Sequence, residues 1–143
     1  MIKSILVVDD NEGDQMIAER VLKKWGYTDT VFRASDGQEA LEFLISPPSD
    51  PVKEKFPPPL ILLDIDMPGM DGFGFLKKFS ALLTQDRFQG HPVSVVMYTS
   101  SENQSDKDRS LQYDCVKDYI IKPLSRENLA VVLEKLNFSG AHL

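Results

Sequence analysis

The chain reads as an α/β protein, a doubly wound sheet of five parallel strands and five helices in one domain over residues 1–143. Three observations predict this. Strand-like and helix-like hydrophobic patterns alternate along the chain, the signature of parallel βαβ units. Two of the strands, Ile5–Val8 and Leu60–Leu63, are unbroken aliphatic runs, which suits strands buried on both faces rather than on one. Each run stops abruptly at polar residues, as expected where a strand leaves the sheet at its carboxyl edge.

The first strand, Ile5-Leu6-Val7-Val8, ends in Asp9-Asp10-Asn11-Glu12. Ala18, Leu22 and Trp25 then recur at i, i+4 and i+7, with Ile17 and Val21 beside them, and predict an amphipathic helix from about Asp14 to Trp25, stopped by Gly26. A short strand is expected around Thr30–Ala34. Asp36 with Glu39 three residues on resembles a capping box ahead of Ala40, Leu41 and Leu44, and opens the second helix. The third strand, Leu60–Leu63, ends in Asp64-Ile65-Asp66-Met67-Pro68-Gly69, and Pro68-Gly69 forces a turn. Phe73, Leu76, Phe79 and Leu83 give the third helix its apolar face. The fourth strand, within Val93–Ser101, ends in the hydroxyls Thr99-Ser100-Ser101. The fifth, Asp118-Tyr119-Ile120-Ile121, ends in Lys122-Pro123. Leu129, Val132, Leu133 and Leu136 predict the last helix, with Ser125 as its N-cap.

Two stretches depart from the pattern. Ser46–Pro59 holds six of the nine prolines, so neither a helix nor a central strand is expected there. It reads as a surface loop, partly polyproline II, entering the third strand. Glu102–Ser110, where the fourth helix belongs, has no apolar residue. A helix there has little face to bury; it should be short, shifted towards Leu111 and Tyr113, or loosely held.

If the strands are parallel neighbours, one sheet edge gathers Asp9, Asp10, Asp64, Thr99 and Lys122. Carboxylates suit a hard cation such as Mg²⁺, which takes oxygen ligands and keeps several waters. A hydroxyl and an ammonium suit phosphoryl oxygens. Taken singly the residues are ambiguous: Asp9 and Asp10 serve equally as caps of the first helix, in competition with Asn11 and Asp14. Lys122 can be a snorkelling surface lysine, and Tyr119 an ordinary half-buried strand aromatic.

In residue type, spacing and order these strand ends, together with Met67-Pro68-Gly69-Met70-Asp71-Gly72, resemble the response-regulator receiver family from about Ile2 to Leu136. The resemblance implies a flavodoxin-like sheet of order 2-1-3-4-5. It implies Asp64 as phosphoacceptor and Asp9 and Asp10 as the acidic pair for Mg²⁺, Asp10 the closer ligand, with the main-chain carbonyl of Asp66 as a further ligand. It implies Thr99 as switch hydroxyl, Lys122 as the phosphoryl-binding lysine aimed by a cis bond to Pro123, and Tyr119 as aromatic switch. Asp66 and Ser101 are expected to tune hydrolysis. A histidine kinase or histidine phosphotransfer protein would be the phosphoryl donor, and the state monomer or homodimer. The proline-rich insertion is similar to those of stand-alone receivers associated with bacterial phytochromes.

Composition limits the alternatives. A net charge of −6, with no Lys/Arg run longer than two, argues against a nucleic-acid surface. A single cysteine, Cys115, allows no internal disulfide and fits a reducing, cytoplasmic setting. The early apolar segment is too short for a signal peptide or a membrane span. After the last helix only Asn137–Leu143 remain, so no output domain is expected. His91 reads as structural, Cys115 as a small buried hydrophobe, and Trp25 and the phenylalanines as core.

Two other functions compete. Asp64-Ile65-Asp66 after an aliphatic strand resembles the opening motif of haloacid-dehalogenase-type Mg²⁺-dependent phosphatases, with Asp64 as nucleophile and Asp66 as acid. There, however, the motif opens the chain and the lysine precedes the acidic pair, whereas here the pair comes first and Lys122 last. A phosphorylation-independent pseudo-receiver adaptor is the third reading; no missing residue favours it.

Overall fold

In a computed structural model, residues 1–46 and 52–137 are described. Among them the order is β1 (Ile5–Val8), α1 (Glu12–Lys24), β2 (Val31–Ala34), α2 (Gly37–Ile45), β3 (Leu60–Leu63), α3 (Gly72–Leu82), β4 (Ser94–Thr99), α4 (Gln104–Leu111), β5 (Val116–Ile121) and α5 (Arg126–Lys135). The five strands are all parallel, in the order β2-β1-β3-β4-β5. Val8 pairs with Leu63 and with Ala34, so the polar residues that follow β1 and β3 leave the sheet side by side.

The alternation within β1 and β3 builds two cores. Leu6, Val8, Ile61 and Leu63 face one side, with Ala40, Leu41 and Leu44 of α2 and Phe75, Leu76 and Phe79 of α3. Ile5, Val7, Leu60 and Leu62 face the other, with Ala18 and Leu22 of α1 and Leu129, Val132 and Leu133 of α5. Side chains that alternate across a strand need apolar cover on both faces, which the aliphatic runs anticipate.

Helix starts follow local chemistry. Asp36, Asp71 and Ser125 each accept the backbone N–H three residues on, and Ser125 and Asn128 form a reciprocal capping box. In α2 the anticipated box is altered: the Glu39 carboxylate accepts from Ser35 N–H. Helix α1 starts two residues earlier than its periodicity suggests, because Asn11 is the cap and accepts from Asp14 N–H at 2.9 Å. That relieves Asp9 and Asp10 of capping. On α1 the buried residues are Gln15, Ala18 and Leu22, while Ile17 is exposed. Trp25, Phe32, Phe43 and Phe56 only flank the cores, whereas Phe73, Phe75, Phe79 and Phe88 lie inside one; Phe138 is outside the described residues.

Glu19 of α1 ties the helix to the sheet edge, with Arg33 Nε at 2.8 Å and Lys23 Nζ at 2.9 Å. Partial burial opposes ionisation, but the two cations outweigh it and hold this carboxyl below the usual glutamate value. A lowered acid pKa contributes stability above the ordinary glutamate value and loses it as pH falls through the folded one. Solvent screens the pair, so Glu19→Gln should cost at most about 1 kcal/mol at pH 7. The difference from wild type should shrink as pH falls below the ordinary glutamate value of about 4.3, as read by urea unfolding at pH 7 and at successively lower pH.

The described part of the proline-rich stretch is more ordered than the expected surface loop of partly polyproline II character. Pro47–Pro51 lie outside the described residues, but Val52–Lys55 form a 3₁₀ turn. The segment after it is pinned to the amino end of β1: Ser4 Oγ donates to Lys55 O, and Lys3 Nζ to Phe56 O at 3.3 Å. Phe56 meets Phe43 edge-on, and Pro57 and Pro58 are buried. Prolines cannot donate to a ladder, but they cover apolar surface well.

The fourth helix is short, as its composition implies, and Ser110 is its buried residue. It is not left loose, however. The Arg109 guanidinium lies 3.9 Å from the centroid of the Phe73 ring, at the start of α3. A cation on an aromatic face replaces the missing apolar contact. Arg109→Ala should cost about 1 kcal/mol and selectively speed amide exchange in α4, while the α3 core amides keep their protection.

Candidate acidic phosphoryl site

The site forms where β1, β3, β4 and β5 end. Asp64 N–H donates to Val8 O at 2.9 Å, and Asp64 Oδ1 accepts its neighbour Ile65 N–H at 2.8 Å. One Asp9 oxygen accepts from Asn11 N–H at 2.9 Å. The buried Gln15 amide, a residue the sequence reading passed over, donates to the main-chain oxygens of Asp9 and Ala34 and so locks α1 onto the ends of β1 and β2. On the far side, Gly72 N–H donates to Ile65 O at 2.9 Å, and a Cβ on Gly72 would stand 2.4 Å from Asp64 O. The loop after Asp64 can close this tightly only over a glycine.

Asp9, Asp10 and Asp64 each offer a carboxylate oxygen within 4.8 Å of the others; Asp9 and Asp64 are buried and Asp10 is exposed. Asp66 is exposed and stands outside this carboxylate group. The Lys122 ammonium enters from the residue after β5, and the Lys122–Pro123 peptide is cis. Its Nζ lies 2.7 Å from Asp9 Oδ2, 2.9 Å from Asp14 Oδ2 and 3.2 Å from Asp64 Oδ2. The Tyr98 ring, its centroid 5.2 Å away, is an aromatic neighbour of the ammonium.

Asp14 is the second residue that sequence reasoning missed in this role. An acid in the first turn of a helix is already accounted for by the helix dipole, so nothing in its spacing announces a partner 108 residues away.

The electrostatics are those of a crowded acid pocket. Burial pushes the Asp9 carboxyl above the usual aspartate value, and Lys122 and the Asn11 N–H offset this only in part. Burial disfavours the Lys122 ammonium too, but the carboxylates of Asp9, Asp14 and Asp64 outweigh it and hold its pKa above that of a free lysine. Asp9 Oδ2, although ion-paired with Lys122, accepts no well-directed hydrogen bond. A buried carboxylate oxygen in that position, with two further carboxylates beside it, fits a divalent cation with oxygen ligands.

Thr99 is fully buried at the end of β4, and its carbonyl accepts Lys122 N–H at 2.9 Å. Thr99 Oγ1 accepts from Ser101 N–H at 3.3 Å, and the Tyr119 hydroxyl donates to Ser101 O at 2.9 Å. Two hydrogen bonds therefore connect the Thr99 hydroxyl to the half-buried Tyr119 through one loop residue. Ser101 Oγ in turn donates to Asp106 Oδ2 of α4 at 2.8 Å. His91 and Cys115 lie at the other end of the sheet, near the start of β4 and β5, away from the site. Burial raises the Cys115 thiol pKa, which suits a structural cysteine. Among the described residues no helix is long and apolar enough to cross a membrane.

Comparison with known proteins agrees with this geometry. The chain is 33% identical over 131 residues to the sensor histidine kinase CheAY of Helicobacter pylori, covering 92% of this chain but 14% of that protein. It is 31% identical over 132 residues to the probable methanogenesis regulatory protein FilR2 of Methanothrix harundinacea, covering 92% of this chain and 79% of that one. Among solved structures, the bacteriophytochrome response regulator AtBRR superposes with a TM-score of 0.76 at 29% identity, covering 100% of this chain and 98% of that one. The family profile described as the response regulator receiver domain matches residues 5–134. The chain belongs to the response regulator receiver domain family of two-component signalling proteins.

Proposed function

We propose that Asp64 accepts a phosphoryl group from a phosphohistidine on a histidine kinase or histidine phosphotransfer protein. The observation that carries this is the buried Asp64 carboxylate, grouped with Asp9 and Asp10 and 3.2 Å from the Lys122 ammonium. A carboxylate oxygen attacks phosphorus in line; the new P–O bond forms as the P–N bond breaks, and the electron pair returns to the imidazole nitrogen. Asp9, Asp10, Asp64 and the Asp66 carbonyl would hold Mg²⁺. Bound there, it would neutralise charge on the phosphoryl oxygens.

Lys122 and Thr99 supply a cation and a hydroxyl to the other phosphoryl oxygens. Any movement of Thr99 towards the phosphoryl group strains its bond from Ser101, and through Ser101 the bond to Tyr119 and the contact with Asp106. The thinly packed α4, beside β5, is the element such a pull reaches, and its face is the surface that would signal to a downstream protein. On this reading the domain assists its own phosphorylation and dephosphorylation but turns over no other substrate, and works in the cytoplasm beside its kinase.

A phosphatase of the haloacid-dehalogenase type is not favoured, because its acid, Asp66, is exposed and apart from the carboxylate group. The phosphorylation test is incubation with phosphoramidate, a P–N donor, followed by hydroxylamine. One phosphoryl adduct that hydroxylamine releases is the expected acyl phosphate. An adduct resistant to hydroxylamine, or none, would refute the reading.

A further inference from the structure

Asp14 has no part in the receiver chemistry proposed above, yet it takes one of the three ion-pair positions around the Lys122 ammonium. An ammonium has three N–H donors. That of Lys122 donates hydrogen bonds to Asp14 Oδ2 at 2.9 Å and Asp64 Oδ2 at 3.2 Å and is ion-paired with the buried Asp9 Oδ2 at 2.7 Å, so three carboxylates crowd the ammonium. A phosphoryl oxygen that comes up to Lys122 competes with these carboxylates for the ammonium. The Asp9 side chain is fully buried and Asp64 is 8% exposed, whereas Asp14 is 33% exposed. Returning a carboxylate to water costs least where water already reaches it. Asp14 is therefore the partner that yields.

We infer that Asp14 is a positioning residue, a competing anion that holds the Lys122 ammonium in the unphosphorylated protein and gives it up when Asp64 carries a phosphoryl group. This rests on the receiver reading and deepens it. Asp14 weakens the hold of the site on a phosphoryl group in proportion to the strength of its own pair with Lys122. Its place is set independently of the site, by its backbone N–H on the Asn11 cap. Asn at the same position keeps that N–H and the side-chain shape, and loses only the charge.

The test is a double-mutant cycle on the affinity for beryllofluoride, a phosphoryl mimic, at saturating Mg²⁺, with wild type, Asp14→Asn, Lys122→Ala and the double variant. Asp14→Asn alone should bind roughly fivefold more tightly, the upper end for a partly exposed ion pair. In the Lys122→Ala background the same change should have no effect. A purely structural role for Asp14 would not make its effect depend on Lys122. An equal gain in both backgrounds would mean simple repulsion between Asp14 and the mimic, and would overturn the inference. No gain, or a loss, from Asp14→Asn in the otherwise wild-type protein would overturn it as well. Wild type that binds no beryllofluoride and takes no phosphoryl group refutes the receiver reading itself; wild type that does both while Asp14→Asn changes nothing refutes only this inference.

Discussion

Asp64→Asn should abolish phosphorylation by small phosphodonors while leaving the domain folded. The amide is isosteric with the carboxylate, and its oxygen can still accept the Ile65 N–H now bound at 2.8 Å. What is lost is the nucleophile, because an amide oxygen does not form a stable phosphoryl bond at neutral pH. The fold should tolerate the change for a second reason. Around Lys122 the native site sets the carboxylates of Asp9, Asp10, Asp14 and Asp64 against one ammonium. Neutralising one of them relieves like-charge crowding, and Lys122 keeps Asp9 and Asp14 as partners. The expected outcome is a phosphoryl adduct below detection by intact mass and a melting temperature equal to or above that of wild type. Strained or charge-crowded functional sites commonly gain stability when disarmed. A variant that melts well below wild type would show that Asp64 supports the fold rather than burdens it.

Among Gly13, Gly37, Gly69, Gly72, Gly74 and Gly90, an added methyl group should be most damaging at Gly72, as Gly72→Ala. The added Cβ would sit 2.4 Å from Asp64 O and 3.0 Å from Ile65 Cα, both backbone atoms with no rotamer to escape into. Gly72 N–H is also bonded to Ile65 O at 2.9 Å, so relief requires moving the loop that carries Asp64. Overpacking against backbone should cost about 3 kcal/mol and shift the urea midpoint with an unchanged slope. Phosphorylation should fall as well, since the displaced loop carries the acceptor. Gly69 is the useful contrast. Its φ is +72° but a Cβ would meet nothing within 4 Å, so Ala there should cost only the strain of a left-handed residue, roughly 1 kcal/mol.

Much of this architecture is legible in the sequence because burial on two faces leaves so few residue choices. Leu60–Leu63 and Ile5–Val8 can hardly be anything but central strands, and once they are parallel neighbours, Asp9, Asp10 and Asp64 must meet. The edge of the sheet is harder to read. β5 starts at Val116, two residues before its visible pattern, because Lys117 on this edge strand is exposed and breaks the apolar run. The contacts that escaped sequence reasoning share a cause. Asp14 with Lys122, Arg109 with Phe73, and Gln15 with Asp9 join residues whose local roles as first-turn acid, solvated cation and polar helix residue already look complete. Each second role arises only when a distant element is packed alongside. The 3₁₀ turn at Val52–Lys55 was obscured differently, by prolines that forbid a long helix but not a single turn between them.

The measurement that tests the central claim most directly locates the phosphoryl group. Wild-type protein phosphorylated in Mg²⁺ would be reduced with borohydride, which converts an acyl phosphate to an alcohol, and its peptides sequenced by mass spectrometry. Reduction confined to Asp64, dependent on Mg²⁺ and on the phosphodonor, is the predicted result. Reduction at Asp9, Asp10 or Asp66, or an adduct formed equally without Mg²⁺, would contradict the assignment of Asp64 as the acceptor in a metal-dependent acid pocket.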